Sequence, residues 1–101
     1  MSRKGIEFTM DVETITDFDE FNSHTDLIKE LEEFIKKVDY GAEIGFNDRN
    51  ILMFHGNILS FTKKECEAKY TLLKSEYARI LSKHYGKVKV IDRMKLYFTH
   101  L

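Results

Sequence analysis

The sequence predicts an α+β domain, a ferredoxin-like split β-α-β-β-α-β sandwich with a four-stranded antiparallel sheet and two helices on one face. Three observations lead there. Segments near both ends alternate apolar and polar residues with a period of two. Two segments carry apolar stripes at helical spacing. Between them, a turn-rich tetrad splits a pair of short strand-like runs. The order strand, helix, hairpin, helix, strand is the split βαβ pattern. Right-handed crossovers put both helices on one face, and the first strand then lies between the third and the last.

The first strand is expected over 4–13. Ile6, Phe8, Met10 and Val12 point one way, and Glu7, Thr9 and Asp11 the other. Residues 14–23 fit neither period and read as an acidic loop with Phe18 and Phe21 as anchors. A helix over 24–38 follows, with Ser23 and Asp26 as a capping-box start. Leu27, Ile28, Leu31, Phe34, Ile35 and Val38 form its stripe, and Gly41 is placed to end it. The hairpin is expected over 42–55, around Asn47-Asp48-Arg49-Asn50. Its first arm suits an edge, and Ile51-Leu52-Met53-Phe54 is apolar on both faces, as a central strand is.

The second helix spans 62–85, opened by Thr62 with Glu65 and closed by Gly86. At 1.5 Å per residue it is about 35 Å long, against about 23 Å for a seven-residue strand, so it should overhang the sheet. The last strand is expected over 87–98. Val88, Val90, Met94, Leu96 and Phe98 turn in, and Lys87, Lys89, Ile91, Arg93, Lys95 and Tyr97 turn out.

A chain of 101 residues makes one domain, 1–101, large enough to bury a core without staples. It is 43% hydrophobic and 33% charged, contains no proline, and has five glycines. A single cysteine allows no intrachain disulfide, and no apolar run suits a signal peptide or a membrane span. The expected location is the cytoplasm, or the cytoplasm of an infected host. Net charge is −1, split as −7 over residues 1–50 and +6 over residues 51–101. In the expected strand order, Glu7, Asp11 and Glu13 face Lys87, Lys89, Arg93 and Lys95 across two neighbouring strands. Much of the basic row is then half of a cross-strand ladder.

Chemistry-bearing motifs are sparse. His24, His55, His84 and His100 are dispersed, which is poor material for zinc. Asp17, Asp19 and Glu20 lack a calcium-loop signature. Cys66 lies on the buried stripe, about 27 Å along the helix from His84. No phosphate loop or nucleophile elbow is present. The expectation is therefore no enzyme, no cofactor, no metal and no small-molecule substrate.

The leading expectation is a non-enzymatic protein-protein interaction module. It would be an inhibitor or adaptor of a larger protein, or a homodimer, of the kind carried by phages and mobile elements. Its expected contacts are Phe18, Phe21, Leu52, Phe54, Tyr77, Tyr85, Ile91 and Tyr97. The alternative is a nucleic-acid-binding regulator using Lys87, Lys89, Arg93 and Lys95.

Overall fold

A computed structural model describes residues 2–100; Met1 and Leu101 of the expected domain lie outside the described residues. The elements are β1 (Ser2–Val12), α1 (Phe18–Ser23), α2 (Thr25–Ile35), β2 (Tyr40–Phe46), β3 (Leu52–Ser60), α3 (Lys63–Tyr85) and β4 (Ile91–His100). The strands make one open antiparallel sheet in the order β2-β3-β1-β4, so β2 and β4 are its edges.

Register decides which residues share a face. Ile6, Phe8, Met10 and Val12 of β1 stand opposite Ile58, Gly56, Phe54 and Leu52 of β3. Their side chains join Leu27, Leu31 and Phe34 of α2 and Cys66, Tyr70, Leu73, Tyr77, Ile80 and Leu81 of α3 in one core. An aromatic cluster runs through it. Phe54 meets Phe8 at 5.0 Å, Phe34 at 5.3 Å and Tyr77 at 4.9 Å between ring centroids. Gly56 makes room for this packing, because a Cβ there would stand 3.0 Å from Val38 and 3.3 Å from Phe8.

Several expectations need correction. The segment read as an acidic loop contains a helix. Asp17 caps α1 by accepting a hydrogen bond from the Glu20 N–H (3.0 Å), and Phe21 is buried. This short helix packs against the C-terminal end of α3. The Tyr85 hydroxyl donates to Glu20 at 2.8 Å, and the Phe21 and Tyr85 rings stack at 6.4 Å. The hydrogen bonds from Tyr85 and His24 hold the Glu20 carboxyl below its usual range.

Ser23 does not cap α2. Its hydroxyl donates back to the Glu20 carbonyl, and His24 occupies the cap position. Nor does Gly41 end α2, which stops at Ile35; it sits at φ 68° in a bulge of β2. The last strand begins at Ile91, which leaves Lys87 and Lys89 in the approach to it.

Other punctuation falls where the residues suggest. Thr62 caps α3 by accepting from the Glu65 N–H at 3.1 Å, and Gly86 ends it at φ 72°. In the hairpin, Asn47 Oδ1 accepts from the N–H groups of Arg49 and Ile51, and Asn50 takes the left-handed conformation at φ 61°.

Among the described residues, the buried Tyr77 hydroxyl has no hydrogen-bond partner, and burial pushes its pKa up. Removing an unsatisfied buried hydroxyl relieves its desolvation cost. Tyr77→Phe should therefore leave stability unchanged or raise it by about 1 kcal/mol, a rise in Tm of about 4–8 °C at this size. Thermal unfolding reads this directly; a clear drop in Tm would mean the hydroxyl is satisfied.

Candidate protein interface on the last strand

Several residues expected at an interface are in the core instead. Leu52, Phe54 and Tyr77 are fully buried, because the helices pack on the face of β3 that carries Leu52 and Phe54. Phe21 is buried under α1, and Tyr85 is half-buried beside it. Phe18 remains 56% exposed, with its ring edge against Phe46.

Ile91 and Tyr97 lie on the helix-free face of the sheet. Tyr97 lies across Gly5 of β1, where an added Cβ would fall within 2.4–2.8 Å of its ring carbons. Its hydroxyl donates to Asn57 Oδ1 on β3 at 3.0 Å and lies 2.5 Å from the Tyr40 hydroxyl on β2. One polar row thus crosses all four strands. It ties β4 to the sheet and makes Tyr97 a structural residue as well as a surface one.

Among the described residues, eight large apolar side chains stay exposed, and four of them stand on β4: Ile91, Met94, Leu96 and Phe98. By register, Met94, Leu96 and Phe98 are opposite Phe8, Ile6 and Lys4, on the helix side of the sheet. They face inward as expected, yet Phe98 is 65% exposed.

The reason lies in α3. Its apolar stripe packs on β1 and β3, whereas Thr71, Lys74, Ser75 and Ala78 turn toward Val88 and Val90. The hydrogen bonds that tie α3 to β4 both end on Asp92, from the Tyr70 hydroxyl and from Lys74 (2.7 Å). Beyond Asp92 the apolar row runs uncovered, and at its far end the Lys4 ammonium sits 3.7 Å over the Phe98 ring. The apolar stripe of α3, engaged on β1 and β3, is the signal in the sequence that could have exposed the row.

The two sheet edges differ. β2 is seven residues long and interrupted by a bulge between Tyr40 and Glu43. Short, bulged edges resist pairing with another chain. β4 is ten residues long, contains no proline, and pairs with β1 in unbroken register from Ile91 to His100. Its second edge pairs with no strand among the described residues. A long, regular edge with apolar side chains is a template for another strand.

The basic row divides. Arg93 approaches Asp11 at 3.6 Å, and Arg49 approaches the same carboxylate at 3.7 Å. Asp11 is 4% exposed beneath them. Glu7 stands opposite Lys95 in register without closing an ion pair. Lys4, Lys87, Lys89 and Lys95 make no ion pair among the described residues. Of the expected ladder only Asp11 with Arg93 closes among the described residues, so most of the basic row is not neutralised by β1 and stays on the surface.

Elsewhere, a groove of about 190 Å³ lies between α1, α2 and β2, lined by Phe18, Phe21, Ile28, Leu31, Ile44 and Phe46. Cys66 is buried, its thiol 3.3 Å from the Lys4 carbonyl, and burial pushes its pKa up. It packs as a core residue. No cluster of three metal-ligating side chains occurs among the described residues, and no helix there is long and apolar enough to cross a membrane. Comparison with family models, with curated proteins and with solved structures gives no match.

Proposed function

We propose that the chain is a non-enzymatic interaction module that binds a protein partner through β4, as an inhibitor or adaptor of a larger protein in the cytoplasm. The observation that carries this reading is the uncovered row Met94, Leu96 and Phe98 along an unbroken sheet edge. Exposed apolar rows flanked by charge are where binding energy concentrates, through a few desolvated anchors. The strand order and the shared core of α2 and α3 support the ferredoxin-like arrangement as the scaffold for that edge.

Nucleic acid is the competing partner, favoured by the lysines that make no ion pair. Against it, Glu7 and Asp11 lie within the same row as Arg93 and Lys95, where they would repel phosphate. An apolar row also gives a phosphate backbone nothing to bind.

The test is the double variant Leu96→Asp, Phe98→Asp, compared with wild type in a tagged pull-down with and without nuclease. Both side chains lie on an edge strand and are at least 39% exposed, so the change should cost about 1–2 kcal/mol, and a thermal melt of the variant confirms that it is folded before the comparison. The expected result is a nuclease-resistant protein complex that the variant weakens at least about 30-fold, as loss of a hot spot does. A complex that survives the variant would sink this reading. Binding that is lost on nuclease treatment, falls steeply with salt and disappears in Lys87→Glu, Lys95→Glu would establish the nucleic-acid reading in its place.

A further inference from the structure

We infer that the open edge of β4 takes an extended partner segment in which acidic residues alternate with apolar ones, added to the sheet as a fifth strand. This rests on the reading of β4 as the interface and goes further by naming the chemistry of what binds there.

The edge sets a two-residue period. On its helix-free face β4 presents Arg93 and Lys95 between Ile91 and Tyr97, and on its helix side, past Asp92, it presents Met94, Leu96 and Phe98. A strand laid beside it must present one set of side chains to each face. Acidic residues on one face and apolar residues on the other match both rows at once, whether the segment runs parallel or antiparallel.

The molecule already contains one such strand. On the inner side of β4, β1 presents Glu7 opposite Lys95 and Asp11 in an ion pair with Arg93. The same strand presents Ile6 and Phe8 opposite Leu96 and Met94. The open edge offers the same two rows from its other side. Arg93 keeps 72% of its side chain exposed while paired to Asp11, so most of its donors remain available. Lys87 and Lys89 add basic charge along the approach to the strand, while Lys4 stands on the other, apolar face, over the Phe98 ring.

A second copy of this chain fits less well. The one acidic residue of β4 is Asp92, on the helix side, so a β4–β4 pair across a two-fold axis supplies no carboxylate to Arg93 and Lys95.

The experiment uses the full chain, isotope-labelled, titrated with a synthetic peptide of the sequence Ile6–Glu13 as an acidic and apolar alternating probe. The comparison peptide carries Lys in place of Glu7, Asp11 and Glu13. Amide shifts along β4 should report binding of the acidic peptide about tenfold tighter than the lysine peptide. The preference should reverse in Arg93→Glu, Lys95→Glu. Methylating alternate backbone amides of the probe should abolish binding for one alternating set and spare it for the other, because a strand pairs with its neighbour through every second residue.

Equal binding of the two peptides, or binding that both methylated sets retain, overturns the inference. So does the absence of β4 shifts with either peptide up to about 1 mM, which would mean a binding free energy weaker than about −4 kcal/mol. Displacement of the acidic peptide by a single-stranded oligonucleotide at low salt also overturns it, in favour of a polyanion site. The interface reading has its own test. A partner lost with Leu96→Asp, Phe98→Asp while the peptides fail to discriminate leaves β4 as the interface and removes only the strand chemistry.

Discussion

Phe54→Ala should cost about 3–5 kcal/mol of stability, the largest loss expected from any single apolar truncation here. Phe54 is fully buried and touches the rings of Phe8, Phe34 and Tyr77, so it joins β1, β3, α2 and α3 at one point. Truncation removes its burial and opens a cavity that four elements would have to close together. A domain of this size has about 5–15 kcal/mol in total, so the variant should retain at most part of its fold at 37 °C. Phe54→Leu keeps most of the volume and should cost about 1–2 kcal/mol. Urea unfolding of the three proteins checks both values. A loss below about 1 kcal/mol for the alanine variant would place Phe54 outside the centre of the core.

The second large effect is expected at Asp92. Its carboxylate accepts hydrogen bonds from Lys74 and from the Tyr70 hydroxyl, and these partners hold its pKa below the usual range, Lys74 contributing most. Tyr70 is 7% exposed, so Asp92→Ala strands a buried hydroxyl and removes charge-assisted bonds. The expected cost is about 2–3 kcal/mol.

The pH dependence follows from the sign of the shift. A carboxyl with a lowered pKa in the folded state contributes stability that is complete above its unfolded value, about 3.9. That contribution fades as pH falls through the folded value, because the unfolded chain then binds the proton more readily. Wild type should therefore exceed Asp92→Asn in stability at pH 7, and the gap should close below about pH 4. A gap that persists unchanged at pH 2 would show that packing, and not the charge, accounts for the difference. Because Asp92 ties β4 to α3, its loss should also loosen the start of the proposed binding edge, visible as faster amide exchange along β4.

The elements were legible from the sequence where a short-range rule set them. The period of two in β1 names the buried residues Ile6, Phe8, Met10 and Val12, and the stripe of α3 names Cys66, Tyr70, Leu73, Tyr77, Ile80 and Leu81, although its spacing also takes in His84, which is exposed near the helix end. Thr62, Gly86 and Asn47 mark boundaries because each supplies a hydrogen bond or a backbone conformation that its neighbours cannot. The segment 14–23 was unreadable for the opposite reason. A single six-residue helix is too short to show a period, and it is held by Phe21 and Tyr85, which are far apart in sequence.

The candidate interface lay further out of reach. Alternation alone gives the direction of a side chain relative to the sheet, and it gave the right direction for Met94, Leu96 and Phe98. Whether that direction leads into a core depends on what lies above it. The apolar stripe of α3 packs on β1 and β3 and leaves Met94, Leu96 and Phe98 outside the core. Ile51 and Leu52 posed the same question in reverse, and the helices settled it by packing on Leu52 and Phe54.

What the sequence determined by itself is therefore the four strands, the two long helices, their order and the two faces of each strand, since these follow from local periodicity and turn chemistry. Which face is covered, which edge stays open and which charges find partners were decided by tertiary structure alone. Those properties belong to pairs of residues such as Asp11 with Arg93 or Tyr70 with Asp92, brought together by folding from distant parts of the chain.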